Sequence, residues 1–247
     1  MVMRPESTFG VRPTAAGARK VFPFYVVCDV SRSMWDPEFN EGRRQMPLSV
    51  IEDALPDMLT VLEEDPVAAD TAYLSVVAFG DEPEAVLTLT SLKEDPSIRA
   101  LPRQGSTDYA QVFEFLDEML RDDQQRLMAA NLSTYTPVVF FLSDGNPQVN
   151  GYLQSEEEWL PARVRLEAPA HPFHPVIVAL GMGTVSEDTV RKLRSDQPKG
   201  IACAAEDNVV PGDLLRAIMN SIVFSISRSA GQGEFQFRTP PGMRRLD

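Results

Sequence analysis

Apolar residues in this chain recur with two periods. Continuous runs of strand length occupy 21–29, 72–79, 137–142, 176–180 and 201–204, and stripes at helical spacing lie between them. The first run, from Val21 to the Asp29 that closes it, predicts a buried strand. Leu48, Ile51, Leu55, Met58, Leu59 and Leu62 share one face of a helix predicted over 48–64, with Pro56 predicting a kink or a late start. Residues 72–79 predict a second strand. Gly80-Asp81-Glu82-Pro83 is turn chemistry, and 84–90 predicts a third strand running antiparallel to the second. After a loop over 92–104, Gly105-Ser106-Thr107-Asp108 opens a helix striped by Val112, Phe113, Leu116, Met119 and Leu120. The wholly apolar run 137–142 suits a parallel sheet covered on both faces. Residues 155–167 are weakly helical, 186–195 are helical, and Pro211 fits the first turn of a final helix whose inner face carries Leu214, Leu215, Ile218 and Ile222.

Strands alternating with helices at this spacing predict an α/β domain: a doubly wound, mostly parallel central sheet with one antiparallel edge strand and helices on both faces, Rossmann-like in its winding. Its expected extent is 21–227, with 1–20 as a flexible N-terminal arm and 228–247 as a flexible C-terminal tail.

Composition narrows the function classes. The chain has 247 residues, 43% hydrophobic and 24% charged, which is globular. The formal net charge is −13 and no long basic stripe is present, so a nucleic-acid surface is not expected. No apolar run approaches the roughly 20 residues that span a bilayer, so membrane insertion is not expected. Two cysteines, Cys28 and Cys203, are too few for a disulfide framework; both lie in strand-like runs and read as core packing in a reducing cytoplasm.

The candidate chemistry sits at the ends of predicted elements. The first strand ends in Asp29-Val-Ser31-Arg-Ser33, one carboxylate and two hydroxyls on a single turn. Thr107 enters a helix, and Asp144 follows a strand in Ser143-Asp144-Gly145-Asn146-Pro147. Ligands in open α/β sheets bind at the carboxyl ends of strands, where loops distant in sequence converge. Asp29, Ser31, Ser33, Thr107 and Asp144 together furnish an all-oxygen set suited to a hard cation, Mg²⁺ first, with Mn²⁺ and Ca²⁺ as alternatives. Two aspartates offset the ion's charge while hydroxyls add none. With neutral groups in the inner positions and an aspartate held behind a water, such an ion stays electrophilic and favours a carboxylate brought by a partner. The bland reading is that the aspartates cap helices and turns and the hydroxyls satisfy backbone donors. Asp108 reads as a helix cap.

These motifs, in this order, resemble the von Willebrand factor A domain and its metal-ion-dependent adhesion site, over about residues 21–227. The resemblance implies a domain that binds Mg²⁺ through the five named residues, binds a protein partner supplying an Asp or Glu, and is not an enzyme. Leu74-Ser-Val-Val-Ala-Phe-Gly, Ala85-Val-Leu-Thr-Leu-Thr and Ser143-Asp-Gly-Asn-Pro are more narrowly similar to bacterial intracellular TerY-like proteins associated with tellurium resistance. That similarity implies a cytoplasmic stress-response or signalling setting and an associated kinase or phosphatase system. The polar loop from Trp35 to Pro47 is longer than the family's usual spacing and sits beside the expected site.

Rival readings remain at this stage. A metal-dependent phosphotransfer or phosphatase-type enzyme would use Asp29, but its usual second carboxylate two residues on is Ser31, and Lys192 and Lys199 do not fall at a strand end. A metal-free α/β scaffold is the other. Gly181-Met-Gly183-Thr-Val-Ser186 approaches the dinucleotide fingerprint, with Glu206 at the ribose-binding distance, but lacks the third glycine and reads as a tight turn. His171 and His174 read as loop residues before a strand. Phe235-Gln-Phe237-Arg-Thr-Pro-Pro reads as either a docking peptide or part of a disordered tail.

Overall fold

The computed structural model describes residues 18–39, 45–207 and 209–246. An eight-stranded mixed sheet forms its centre. β1 (Arg19–Asp29) lies in the middle, parallel to β2 (Ala72–Phe79) on one side and to β5 (Val138–Ser143) on the other. β3 (Glu84–Ser91) pairs antiparallel with β2. Beyond β5 follow β8 (Val176–Gly181) and β9 (Ile201–Ala205), both parallel. β4 (Leu132–Thr134) pairs with the first residues of β1.

Period-two alternation along β1 sorts its side chains to two cores. Phe22, Phe24, Val26 and Cys28 face α2 (Pro47–Glu64), α3 (Pro66–Thr71) and α7 (Pro211–Gln232). Tyr25 and Val27 face α4 (Tyr109–Ala129), α5 (Glu156–Arg165) and α6 (Glu187–Leu193). The second core is aromatic: Phe141 stacks on Phe113 at 5.2 Å between centroids and meets Tyr109 edge-on at 5.5 Å. The doubly wound architecture expected from the sequence is therefore observed, with helices on both faces. Pro56 produces no late start, since the helix begins at Pro47 and continues through it. Both cysteines are buried and unpaired, and burial pushes their thiols up to about 12 for Cys28 and about 11 for Cys203.

Three features depart from the sequence reading. The expected flexible tail over 228–247 is built into the fold among its described residues. α7 continues to Gln232 and ends on Gly233, whose φ of +67° is the left-handed C-cap that favours glycine. Phe235 and Phe237 then pack against the first core, and β10 (Met243–Arg245) adds antiparallel to β9. The physical reason is the edge of β9, whose unpaired backbone groups β10 satisfies. The sheet consequently has two antiparallel edges, β3 and β10, where one was expected. Of the expected arm over 1–20, residues 1–17 lie outside the described residues, and Arg19 and Lys20 belong to β1. A hairpin, β6 (Gln148–Val149) and β7 (Tyr152–Leu153), was also not anticipated.

Candidate metal centre

β1, β2, β5 and β8 run parallel, so their carboxyl ends share one edge of the sheet. The chain leaves β1 for β2 on one side and reaches β5 on the other, which opens the crevice of a doubly wound sheet between β1 and β5. Asp29 ends β1 on one lip, and Asp144 follows β5 on the other.

The buried Asp29 carboxylate has donors on both oxygens. Ser31 N–H donates to Oδ1 at 2.9 Å and the Ser143 hydroxyl donates to Oδ2 at 2.6 Å. Ser33 Oγ donates to Asp144 Oδ1 at 2.7 Å and lies 3.3 Å from Ser31 Oγ. Asp29, Ser31, Ser33 and Asp144 thus form one hydrogen-bonded cluster across the crevice. Asp144 is held from behind, its carbonyl accepting the Thr184 N–H at 2.8 Å. Gly183, at φ +62°, allows this approach, since a Cβ there would lie 2.6 Å from the Asp144 carbonyl oxygen. Gly183 of the near-fingerprint therefore serves a tight turn, while Gly181 closes β8 where a Cβ would lie 2.3 Å from the Val190 side chain.

Thr107 is buried, and its hydroxyl lies beside Gly145, 3.8 Å from where a Cβ on that glycine would stand. Its backbone exchanges two hydrogen bonds with Gln148 of β6, at 2.9 and 3.0 Å. The loop before it is tied down. Asp81 accepts the Gly105 and Ser106 N–H groups at 2.7 and 3.0 Å, and Gln104 N–H donates to the Val30 carbonyl at 3.1 Å. Asp108 is the helix cap expected of it, accepting from Gln111 N–H at 3.0 Å and from the Gln154 amide at 2.8 Å.

Sequence reasoning missed two participants. Ser143 supplies the shortest hydrogen bond to Asp29, and the Tyr109 hydroxyl reaches both Ser143 Oγ at 3.0 Å and the Gly145 carbonyl at 2.9 Å. Ser143 stood inside the quoted Ser-Asp-Gly motif; nothing in the sequence links Tyr109 to it.

Electrostatics test whether the donor set fits a cation. Burial first, and then the charge of Asp144, pushes the Asp29 carboxyl well above the usual carboxylate range, against the pull of the Ser143 and Ser31 hydrogen bonds. Two acids that oppose each other's ionisation in a crevice lined by hydroxyls make a place where a positive ion is favourable. The set is all oxygen and fits a hard cation. Among the described residues no three or more His, Cys, Asp or Glu side chains are grouped so as to hold a metal ion. His171 is a buried turn residue. Its Nδ1 lies against both the Phe173 N–H, at 3.1 Å, and the Phe173 carbonyl, and its Nε2 lies 3.1 Å from Asp117 Oδ1.

The loop from Trp35 to Pro47 begins with α1 (Arg32–Trp35) and a 3-10 turn over Pro37–Phe39; residues 40–44 lie outside the described residues. Phe39 is exposed, as are Tyr152 and Leu153 at 79% and 73% on the hairpin bonded to Thr107.

Comparison with known proteins gives the frame for this geometry. Residues 24–146 match the family described as von Willebrand factor type A domain. No curated protein matches the chain. Among solved structures, it is similar to the PilB minor pilin from Streptococcus sanguinis, with a TM-score of 0.58 and 11% identity, over 87% of this chain and 63% of that one. The von Willebrand factor type A protein from Catenulispora acidiphila gives 0.53 and 13%, over 85% and 43%. Proximal thread matrix protein 1 from the mussel byssus, with a zinc-occupied MIDAS motif, gives 0.50 and 11%, over 85% and 48%. The chain spans less than two thirds of each of these proteins, 63% at most.

Proposed function

We propose, starting from a chain that carries a von Willebrand factor type A domain, that this protein is a Mg²⁺-dependent protein-interaction module. In this reading it captures a partner's Asp or Glu at the carboxyl edge of its sheet. The observation that carries the proposal is the cluster itself. Asp29, Ser31, Ser33 and Asp144 are joined by hydrogen bonds across the β1–β5 crevice, with Thr107 beside Gly145. The zinc at the mussel protein's motif supports a divalent ion in the same fold.

Asp29, Ser31, Ser33, Thr107 and Asp144 would hold the ion. A divalent cation there supplies an electrophilic position for an incoming carboxylate. The chain's own residues do the rest. Ser143 and the Ser31 N–H orient Asp29 so that its charge stays fixed behind the hydroxyls. Ser31 and Ser33 would give neutral ligands that add no negative charge beyond that of the two aspartates. Asp81 and Gln148 fix the Thr107 loop before any ligand arrives, which lowers the ordering cost of binding. None of these steps needs a general base, in keeping with domains of this kind being interaction modules in general.

The finer setting rests on the narrower resemblance to TerY-like proteins: a bacterial cytoplasmic stress-response or signalling system, with an associated kinase or phosphatase system supplying the partner. No helix among the described residues is long and apolar enough to cross a membrane. The test is partner recovery from lysate with Mg²⁺ against chelator, using wild type, Asp29→Ala and Thr107→Ala. The expected result is capture in Mg²⁺ by wild type alone. Equal capture by the variants would refute the mechanism.

A further inference from the structure

At the edge of the sheet opposite the metal centre, a cavity of about 180 Å³ is lined by Arg194, Lys199 and Arg245, with Gly200 at its wall and no acidic residue in its lining among the described residues. Three elements bring these cations together. Arg194 directly follows α6, Lys199 and Gly200 form the turn into β9, and Arg245 lies on β10 opposite Cys203. In a chain of net charge −13 this concentration of positive charge stands out, and none of the three makes an ion pair among the described residues.

The site is built rather than incidental. Ser195 Oγ accepts from the Ile177 N–H at 2.9 Å and donates to the Pro198 carbonyl at 2.8 Å, and Gly200 N–H closes onto the Ser195 carbonyl at 2.7 Å. That turn admits only glycine at 200, because a Cβ would lie 2.4 Å from the Ile177 carbonyl oxygen. Arg245 is steered by Thr239 Oγ1, 3.1 Å from its Nε, and by the Phe237 ring, 5.6 Å from its guanidinium carbon. Arg194 Nε is buried and has no hydrogen-bond partner among the described residues. Folded proteins rarely keep a buried donor unsatisfied, and each such group calls for an explanation.

We propose that this cavity is a binding site for a phosphate-type oxyanion, carried either by free phosphate or by a phosphorylated protein. A phosphate monoester brings close to two negative charges and three strong acceptor oxygens at neutral pH. Guanidinium forks match that geometry, and a lysine adds a point charge. The site is independent of the metal centre, being formed from other elements at the other edge of the sheet.

The test is calorimetric titration of the full chain, in chelator and at chloride-matched ionic strength, with inorganic phosphate and separately with O-phosphoserine. Wild type is expected to show saturable one-site binding. Arg194→Gln should weaken it about tenfold or more, as expected for losing a charge-assisted hydrogen bond. Should Arg194→Gln fail to fold, the Lys199→Gln/Arg245→Gln double variant serves, since both side chains are exposed; it should melt as wild type in chloride yet bind phosphate at least tenfold more weakly. Asp29→Ala should bind phosphate unchanged. Tighter binding of phosphoserine supports the site with a phosphorylated protein as its source, and tighter binding of inorganic phosphate supports it with the free ion. Heat no greater than that of chloride, or wild-type affinity in the double variant, would overturn the proposal.

Discussion

At the scale of single residues, the candidate centre depends on hydroxyl protons as much as on carboxylates. Ser143 holds Asp29, and Tyr109 lies within reach of Ser143 and the Gly145 carbonyl. Ser143→Ala leaves a buried carboxylate oxygen without its donor and should cost about 2 kcal/mol, whereas Tyr109→Phe removes one neutral bond and should cost about 1 kcal/mol. Urea unfolding of both variants checks the order; equal costs would contradict it. His171 gives a pH test. Burial holds its imidazole below the ordinary 6.5, with Arg121 and His174 acting the same way and the Phe173 carbonyl and Asp117 opposing. The unfolded chain therefore accepts a proton that the folded protein resists. Stability present at pH 7 falls as pH drops through 6.5, by at most about 1.4 kcal/mol per pH unit. His171→Gln should remove that part of the slope in unfolding measured at several pH values; an unchanged slope would refute the assignment.

At the scale of elements, what the sequence revealed and what it hid divide by the range of the pairing. The strands at 21–29, 72–79 and 137–142 and the helices at 48–64 and after Asp108 carry their period over a full element, and they form where the pattern puts them. β4 and β10 are three residues long and form because a distant strand offers partners, and β6 and β7, two residues each, pair only with one another as a hairpin. Asn150-Gly151, with φ of +51° and +80°, is a hairpin turn that the sequence did contain, but its flanks are too short to show alternation. The terminal segment misled for another reason. Its Gly, Gln, Arg and Pro content looks mobile, while burial of Met243 and Leu246 and packing of Phe235 hold it. Removal of residues 233–247 should therefore lower stability by several kcal/mol, at roughly 1.5–3 kcal/mol per buried apolar side chain. A free tail would leave the melting temperature unchanged. The hairpin offers the opposite case. Tyr152→Ser with Leu153→Ser should leave stability within about 0.5 kcal/mol, because both side chains are exposed. It should weaken partner capture if the hairpin borders the interface.

At the scale of the whole molecule, one sheet gathers side chains of opposite charge at its two edges. Its carboxyl edge gathers Asp29, Asp144 and three hydroxyl residues from loops as far apart in sequence as 29 and 144, while its other edge gathers Arg194, Lys199 and Arg245. The first gathering was legible in the sequence because each segment ends a strongly apolar strand or opens a well-capped helix. The second was not, because it depends on β10 pairing with β9. The central claim concerns the first edge, and calorimetric titration of metal-free protein with Mg²⁺ and Mn²⁺, wild type beside Asp29→Ala, tests it most directly. The account predicts one-site binding in wild type and a loss of at least about 30-fold, or 2 kcal/mol, in the variant. Equal binding by the two proteins would contradict it.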